Sequence, residues 1–109
     1  MNLKILNLNS FTKDIKKLYK KYKNIANDLK SLQNTLQNNP KAGIALSENI
    51  YKIRLANSSI PTGKRGGFRV IYYYLDNQNN LYLMTMYSKA DLENISEEKL
   101  VEILKSNGL

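Results

Sequence analysis

The chain has 109 residues, of which 42% are hydrophobic and eight are tyrosines, so it can form one modest core, and we expect a single domain over residues 1–109. It contains no cysteine and no histidine, which excludes a disulfide framework, a thiol nucleophile and the usual zinc ligands. Seventeen Lys and Arg residues against nine Asp and Glu residues give a net charge of +8, which favours a polyanionic partner.

The same absences bear on location and chemistry. Without cysteine, the default compartment is the cytosol. No apolar run approaches the roughly 18 residues that a membrane span needs, so we expect a soluble cytoplasmic protein that does not contact membranes. Without histidine, the usual general base at neutral pH is missing, and we expect neither a metal site nor a cofactor.

The amino-terminal third of the chain reads as a strand followed by helix. Residues 3–8, "LKILNL", alternate loosely and predict a strand, after which Ser10 is expected to cap a helix that begins at Phe11. An apolar stripe then recurs at steps of four and three residues. It consists of Phe11, Ile15, Leu18, Tyr22, Ile25, Leu29, Leu32 and Leu36. The stripe fits one long helix or two, and a hairpin of two helices that turns near Asn24 suits a small domain better.

The middle of the chain is rich in predicted strands. Residues 38–46 contain Pro40 and are expected to cross the surface irregularly. The segment "IYKIRLA" (50–56) alternates as a half-exposed strand does. In contrast, "FRVIYYYL" (68–75) and "LYLMTMY" (81–87) are apolar on both faces, which is typical of central strands in a sheet.

A hairpin between these two central strands predicts which residues face each other. The polar segment "DNQNN" (76–80) reads as a five-residue hairpin loop. If the loop is centred on Gln78, Arg69 lies directly opposite Tyr87. Directly opposed residues project to one face of a sheet with Cβ atoms about 5 Å apart. We therefore expect Arg69 and Tyr87 to be neighbours at the open end of the sheet.

The charges are divided unevenly between this sheet region and the end of the chain. Residues 51–90 contain six cations and one acid, whereas residues 91–109 contain two cations and five acids. Ser96 can cap a final helix in the acidic segment, with Gly108 just beyond its end. The sheet therefore presents a cationic surface, and an acidic helix follows it.

The cations of the sheet region are expected to gather around Arg69. Lys52 and Arg54 lie on the strand that precedes it, and Lys89 follows Tyr87 by two residues. A loop that includes Lys64, Arg65, Gly66 and Gly67 leads into the strand of Arg69, and its glycines permit close approach by a ligand. An arginine beside buried strand residues costs desolvation energy unless it is paired or exposed at an edge, and a phosphate suits the planar guanidinium. The alternative is that Arg69 pairs with Glu93 or Glu98.

Three segments together carry a resemblance to a known family. "YKIRLA", "GKRGGFRVIYYYL" and "LYLMTMYSKADLENIS" resemble the RelE/HigB toxins of type II toxin–antitoxin systems, and the resemblance covers most of the chain. It implies an α+β fold, a small twisted antiparallel sheet of about four strands packed against an amino-terminal helical hairpin, with a carboxyl-terminal helix. It also implies an mRNA endonuclease that enters the ribosomal A site and is neutralised by an antitoxin, expected to be a helix-turn-helix protein.

The resemblance also implies roles for individual residues. The family reaction is attack of a ribose 2′-hydroxyl on the adjacent phosphate, without a metal. Lys52 and Arg54 match basic residues of the family's second strand, Arg69 matches the arginine that binds the scissile phosphate, and Lys89 matches a basic residue after the last strand. Tyr87, Lys64 and Arg65 are further candidates for the reaction or for RNA binding.

Two departures from the family's pattern leave the general acid and base open. Some members have an arginine after the last lysine and a tyrosine near the carboxyl-terminal helix, where this chain has Ala90 and, approximately, Ser96. Two other functions fit the same basic surface. One is a non-catalytic nucleic-acid-binding module, and the other is a gyrase-directed toxin of the related ParE type.

Overall fold

A computed structural model describes residues 3–61 and 66–109. Within these residues the chain forms five strands and three α-helices in an α+β arrangement, as predicted. In chain order the elements are β1 (Lys4–Asn7), α1 (Asn9–Lys21), α2 (Ile25–Asn38), β2 (Ile44–Ser47), β3 (Ile50–Leu55), β4 (Phe68–Leu75), β5 (Asn80–Ser88) and α3 (Glu97–Ser106). None of these helices is long and apolar enough to cross a membrane.

The strands form one mixed sheet in the order β1-β5-β4-β3-β2. β1 runs parallel to β5, and the other neighbouring pairs are antiparallel. The sheet therefore has one strand more than the expected four or so, together with one parallel pair. α1 and α2 carry the chain from β1 at one edge of the sheet to β2 at the other edge.

The apolar stripe of residues 11–36 is divided between two helices, which confirms the prediction of a helical hairpin. α1 ends at Lys21 and α2 begins at Ile25, so the break falls at the polar segment around Asn24. Phe11, Ile25 and Leu32 are almost fully buried against the sheet. The periodicity of the stripe thus reports the core-facing side of both helices.

β4 and β5 are covered on both faces, which confirms their prediction as central strands. On one face, Phe68 and Val70 belong to the core beneath α1 and α2. On the other, Ile71 and Met84 pack with residues of α3, including Leu100. The site described below lies on this second face, at the end of the sheet where β4 begins and β5 ends.

Ser10 does not cap a helix, and this prediction was wrong. α1 begins one residue earlier, at Asn9, and its N-cap position is Leu8. The Ser10 hydroxyl instead donates a hydrogen bond to the backbone carbonyl of Met84 in β5. β1 pairs with β5 only as far as Leu83, so the backbone of β5 beyond that residue needs other partners.

Asp14, one turn after Ser10, supplies the next of these partners. Its Oδ2 accepts hydrogen bonds from the backbone nitrogen of Met86 at 3.1 Å and from Oγ1 of Thr85 at 2.6 Å. Two polar side chains of α1 thus replace a neighbouring strand along the end of β5. This explains why polar residues lie on the sheet-facing side of an otherwise amphipathic helix.

The expected irregular crossing at residues 38–46 contains a strand, β2, from Ile44 onward. All four residues of β2 are exposed, so it lacks the buried alternation that predicts strands. Gly43 allows β2 to approach β3, because a Cβ atom at this position would lie 2.7 Å from the carbonyl oxygen of Lys52. Its backbone nitrogen donates to the Tyr72 hydroxyl at 3.1 Å, which fixes the start of the strand.

The final helix follows its sequence signals. α3 begins at Glu97, and the hydroxyl of Ser96 accepts a hydrogen bond from the backbone nitrogen of Lys99 at 3.2 Å. Gly108, just beyond the helix, has a φ angle of +69°. The predicted N-cap and the glycine after the helix are both confirmed.

Candidate active site

Three of the predicted site residues form one row across the sheet. Arg54 of β3 lies directly opposite Arg69 of β4, and Arg69 lies directly opposite Tyr87 of β5. Directly opposed residues share a face, with Cβ atoms about 5 Å apart. The predicted pairing of Arg69 with Tyr87 is confirmed, and a second arginine stands on the other side of Arg69.

The register of this row depends on a β-bulge. Near the hairpin, Leu75 pairs with Asn80, so the loop contains four residues rather than five. The register shifts between Ile71, which pairs with Thr85, and Tyr72, which pairs with Leu83. Met84 is the extra residue of β5. The bulge restores the register predicted for Arg69 and Tyr87 and turns the site residues of β5 to the α3 side.

Arg69 is held in a buried position beside another cation. Only 5% of its surface is exposed, and its Nη1 donates to the backbone carbonyl of Phe68 at 3.2 Å. Burial lowers the pKa of Arg69, and the charge of Arg54 lowers it further, whereas Tyr87 acts in the opposite direction. Glu93 and Glu98 are both exposed, and the alternative pairing of Arg69 with either of them stays a prediction.

Tyr87 presents a buried hydroxyl to this cluster. Its surface is 7% exposed, and its hydroxyl has no hydrogen-bond partner among the described residues. Burial raises the pKa of Tyr87, although the charges of Arg69 and Lys89 act against the rise. The phenol is therefore protonated at neutral pH and can donate a hydrogen bond to an anion bound beside Arg69.

Lys52 lies on the same face as Arg54, one row further along the sheet. It pairs with Ile71 of β4, and its Nζ donates to Oδ1 of Asn94 at 3.0 Å. Asn94 was not among the residues predicted for the site. No local signal marks this residue, because the contact joins positions 42 residues apart in the chain.

Lys89 and the glycines also lie at this end of the sheet. β5 ends at Ser88, so Lys89 does not continue the strand, but its backbone nitrogen donates to the carbonyl of Gly67 at 3.0 Å. Gly67 is buried and Gly66 is half-buried. The predicted RNA-binding residues Lys64 and Arg65 lie outside the described residues.

A buried layer beneath the sheet supports the row. The ring of Tyr22 meets that of Phe68 edge to face, with centroids 5.5 Å apart. Its hydroxyl lies 3.3 Å from Oγ of Ser88, which also accepts a hydrogen bond from the backbone nitrogen of Ala90. Phe68 and Ser88 pair directly with each other in the position next to Arg69 and Tyr87, so this layer fixes the ends of both strands beside the row.

The chemistry available here is stabilisation of negative charge. The buried guanidinium of Arg69 and the protonated phenol of Tyr87 are donors that need little rearrangement when an anion binds, and the exposed Arg54 adds a second positive charge beside them. In the described part of the chain, no three acidic side chains lie close enough together to hold a metal ion. The row is suited to a phosphodiester, whose charge increases as it becomes pentavalent.

A solved structure has the same architecture over nearly its whole length. A mutant of the E. coli toxin RelE, determined in the free state, matches 97% of this chain and 98% of its own, with a TM-score of 0.62 and 17% sequence identity. The fold is RelE-like. No family model matches the sequence.

The two positions that depart from the RelE/HigB pattern have distinct surroundings. Ser96 is occupied as the N-cap of α3, through the hydrogen bond to Lys99. Ala90 is exposed in the turn that follows β5.

Proposed function

We propose that this chain is the toxin of a toxin–antitoxin pair and that it acts as an endoribonuclease on mRNA at the ribosome. The observation that carries the proposal is the row of Arg54, Arg69 and Tyr87 in a RelE-like fold. Two guanidinium groups and a phenol on one face of the sheet supply charged and hydrogen-bonding donors. The oxygens of an RNA phosphate match these donors.

The reaction that suits this row is phosphoryl transfer within the RNA. The ribose 2′-oxygen attacks the adjacent phosphorus and loses its proton to a base, while the bond to the 5′-oxygen breaks and that oxygen takes up a proton. The products are a 2′,3′-cyclic phosphate and a 5′-hydroxyl. Arg54 and Arg69 stabilise the pentavalent charge, and the Tyr87 hydroxyl donates to a phosphate oxygen.

Lys52 and Lys89 are the candidates for the two proton transfers. Both adjoin the row, Lys52 along β3 and Lys89 just beyond the end of β5. A lysine accepts a proton only in its neutral form and donates one from its charged form. The pH–rate profiles of Lys52→Met and Lys89→Met will separate the roles, because loss of the base and loss of the acid remove opposite limbs of the profile.

The test of the proposed function uses purified protein, ribosomes and a defined mRNA. We expect new 5′ ends on mRNA bound in the ribosome and little cleavage of the same mRNA when it is free. Binding of RNA without cleavage would favour a non-catalytic nucleic-acid-binding module, and inhibition of gyrase with intact mRNA would favour a ParE-like activity.

The proposal includes a protein partner that controls the toxin. A chain of net charge +8 is suited to rapid encounter with an acidic antitoxin. Expression of the chain alone should arrest growth, and co-expression with the product of an adjacent gene, expected to be a helix-turn-helix protein, should restore it. If that product does not bind, or binds without relieving the arrest, the toxin–antitoxin assignment is wrong.

A further inference from the structure

Lys52 is positioned by a neutral side chain from a distant part of the sequence. Its Nζ lies 3.0 Å from Oδ1 of Asn94, in the segment between β5 and α3. The two residues line one side of a cleft of about 370 Å³ between the sheet and α3. Glu97, the first residue of α3, lines the same cleft.

The segment that carries Asn94 is fixed at both of its ends. At its start, the carbonyl oxygen of Ser88 accepts hydrogen bonds from the backbone nitrogens of Asp91 and Leu92, each at 3.0 Å. At its end, Ser96 caps α3. Asn94 therefore lies between two hydrogen-bonded turns, and its side chain is a suitable anchor for a flexible lysine.

The identity of the acceptor matters because Lys52 stands near two arginines. Repulsion from Arg54 and Arg69, on the same face of the sheet, favours conformers of Lys52 that point away from the row. A carboxylate at position 94 would hold the ammonium but would also cancel its charge. An amide oxygen holds it and leaves the charge available to a phosphate.

We infer that Asn94 is a positioning residue for Lys52. It holds the ammonium group in the cleft between the sheet and α3, on the same face of the sheet as the row, and releases it to the substrate when RNA binds. The inference rests on the proposed function, since it assigns a role in the same reaction. Asn94 itself contacts neither the phosphate nor the reacting oxygens.

A measurement on the protein alone tests the contact without any assay of activity. In Asn94→Asp, the new carboxylate should raise the pKa of Lys52. This pKa is measured by following the NMR signal of the Lys52 Cε atom through a pH titration. The matched control is Asn34→Asp, which makes the same chemical change at an exposed position of α2. A Lys52 titration that is the same in wild type and in both variants would overturn the inference.

Single-turnover cleavage with excess enzyme tests the role in the reaction. We expect Asn94→Ala to lower the maximal rate about three- to tenfold, with a smaller effect on substrate affinity, and Asn94→Asp to lower it further. In a Lys52→Met background, Asn94→Ala should have no additional effect, because the two residues act through one contact. Independent losses in the double variant would contradict the inference.

These measurements separate two kinds of failure. If wild-type protein cleaves no mRNA on the ribosome, the proposed function fails and the positioning role fails with it, even if the NMR titration shows the contact. If wild type cleaves and the double variant shows independent losses, only the role of Asn94 is wrong. Recovery of cleavage in Asn94→Gln, which retains the amide, would support positioning over a general effect on the fold.

Discussion

Arg54 and Arg69 stand directly opposite each other across β3 and β4. Like charges directly opposite each other disfavour a strand pair, so the charge of Arg54 is expected to lower the stability of the free protein. The same two groups are the ones that a phosphate would bridge. Stability and activity should therefore respond in opposite directions when one of the charges is removed.

Arg54→Gln tests this opposition, because it removes the charge and keeps most of the exposed side chain. We expect the free energy of unfolding in urea to rise by about 0.2–1 kcal/mol at low salt and the cleavage rate to fall at least tenfold. The gain in stability should shrink in 1 M salt, where the Debye length is about 3 Å. A stability loss at low salt would mean that Arg54 has a stabilising partner.

Arg69 is expected to dominate the chemistry. Both Arg69→Ala and Arg69→Met should lower cleavage roughly 100- to 1000-fold, the usual range for loss of one group that stabilises a developing anion. Arg69→Met should retain a melting temperature near that of wild type, because it fills the space of the buried stem. Lys16→Gln, which removes one charge from the exposed side of α1, is the control and should cleave normally. Normal cleavage by the Arg69 variants would remove this site from the mechanism.

The raised pKa of Tyr87 predicts a specific dependence of stability on pH. Because its pKa is raised on folding, the folded protein keeps the phenol proton to higher pH than the unfolded chain does. The resulting stabilisation is complete below pH 10 and is lost as pH rises through the folded pKa. Tyr72 and Tyr74 have raised pKa values as well. The contribution of Tyr87 to the pH dependence of stability is therefore obtained by comparing wild type with a variant that lacks the Tyr87 hydroxyl.

Tyr87→Phe is that variant. Its unfolding free energy should fall less steeply above pH 10 than that of wild type, while at pH 7 its stability should be equal or slightly higher, because the hydroxyl lacks a partner in the described structure. Cleavage at pH 7 should drop, since a donor to the phosphate is lost. An identical pH dependence of stability in the two proteins would contradict the buried position of the phenol.

Asp14 is expected to matter for stability through the backbone of β5. Asp14→Ala should lower the free energy of unfolding by about 1–3 kcal/mol, because it leaves the Met86 amide without its acceptor. Asp91→Ala is a matched control, since among the described residues the Asp91 carboxylate forms an exposed ion pair with Lys21 at 3.1 Å, and its loss should change stability much less than Asp14→Ala does. Equal effects of the two variants would show that water replaces Asp14 at the strand edge.

The hairpin of β4 and β5 shows why the predicted register was right at the site and wrong at the loop. A five-residue loop was expected, but Leu75 and Asn80 enclose a loop of four residues. The bulge at Met84 adds one residue and brings Arg69 back opposite Tyr87. Both parities of β5 are apolar, so its pattern does not distinguish a regular strand from a bulged one.

The sequence by itself determined the elements whose signals are local. Three features follow from residues within a few positions of one another. They are the burial of one side of α1 and α2, the burial of both sides of β4 and β5, and the capping of α3 by Ser96. These features depend on helical and strand periods and on the hydrogen-bonding needs of a helix end. They were sufficient to predict the helices and the two central strands of the sheet.

Only the tertiary structure decided which distant polar groups meet. Ser10 could cap a helix or serve a strand edge, and it serves β5 because β1 ends too early to do so. Asn94 holds Lys52 because the segment after β5 folds back over the sheet before α3 begins. The same polar side chain can satisfy a neighbour in sequence or a neighbour in space, and its choice is set by which backbone and charged groups the completed fold leaves without partners.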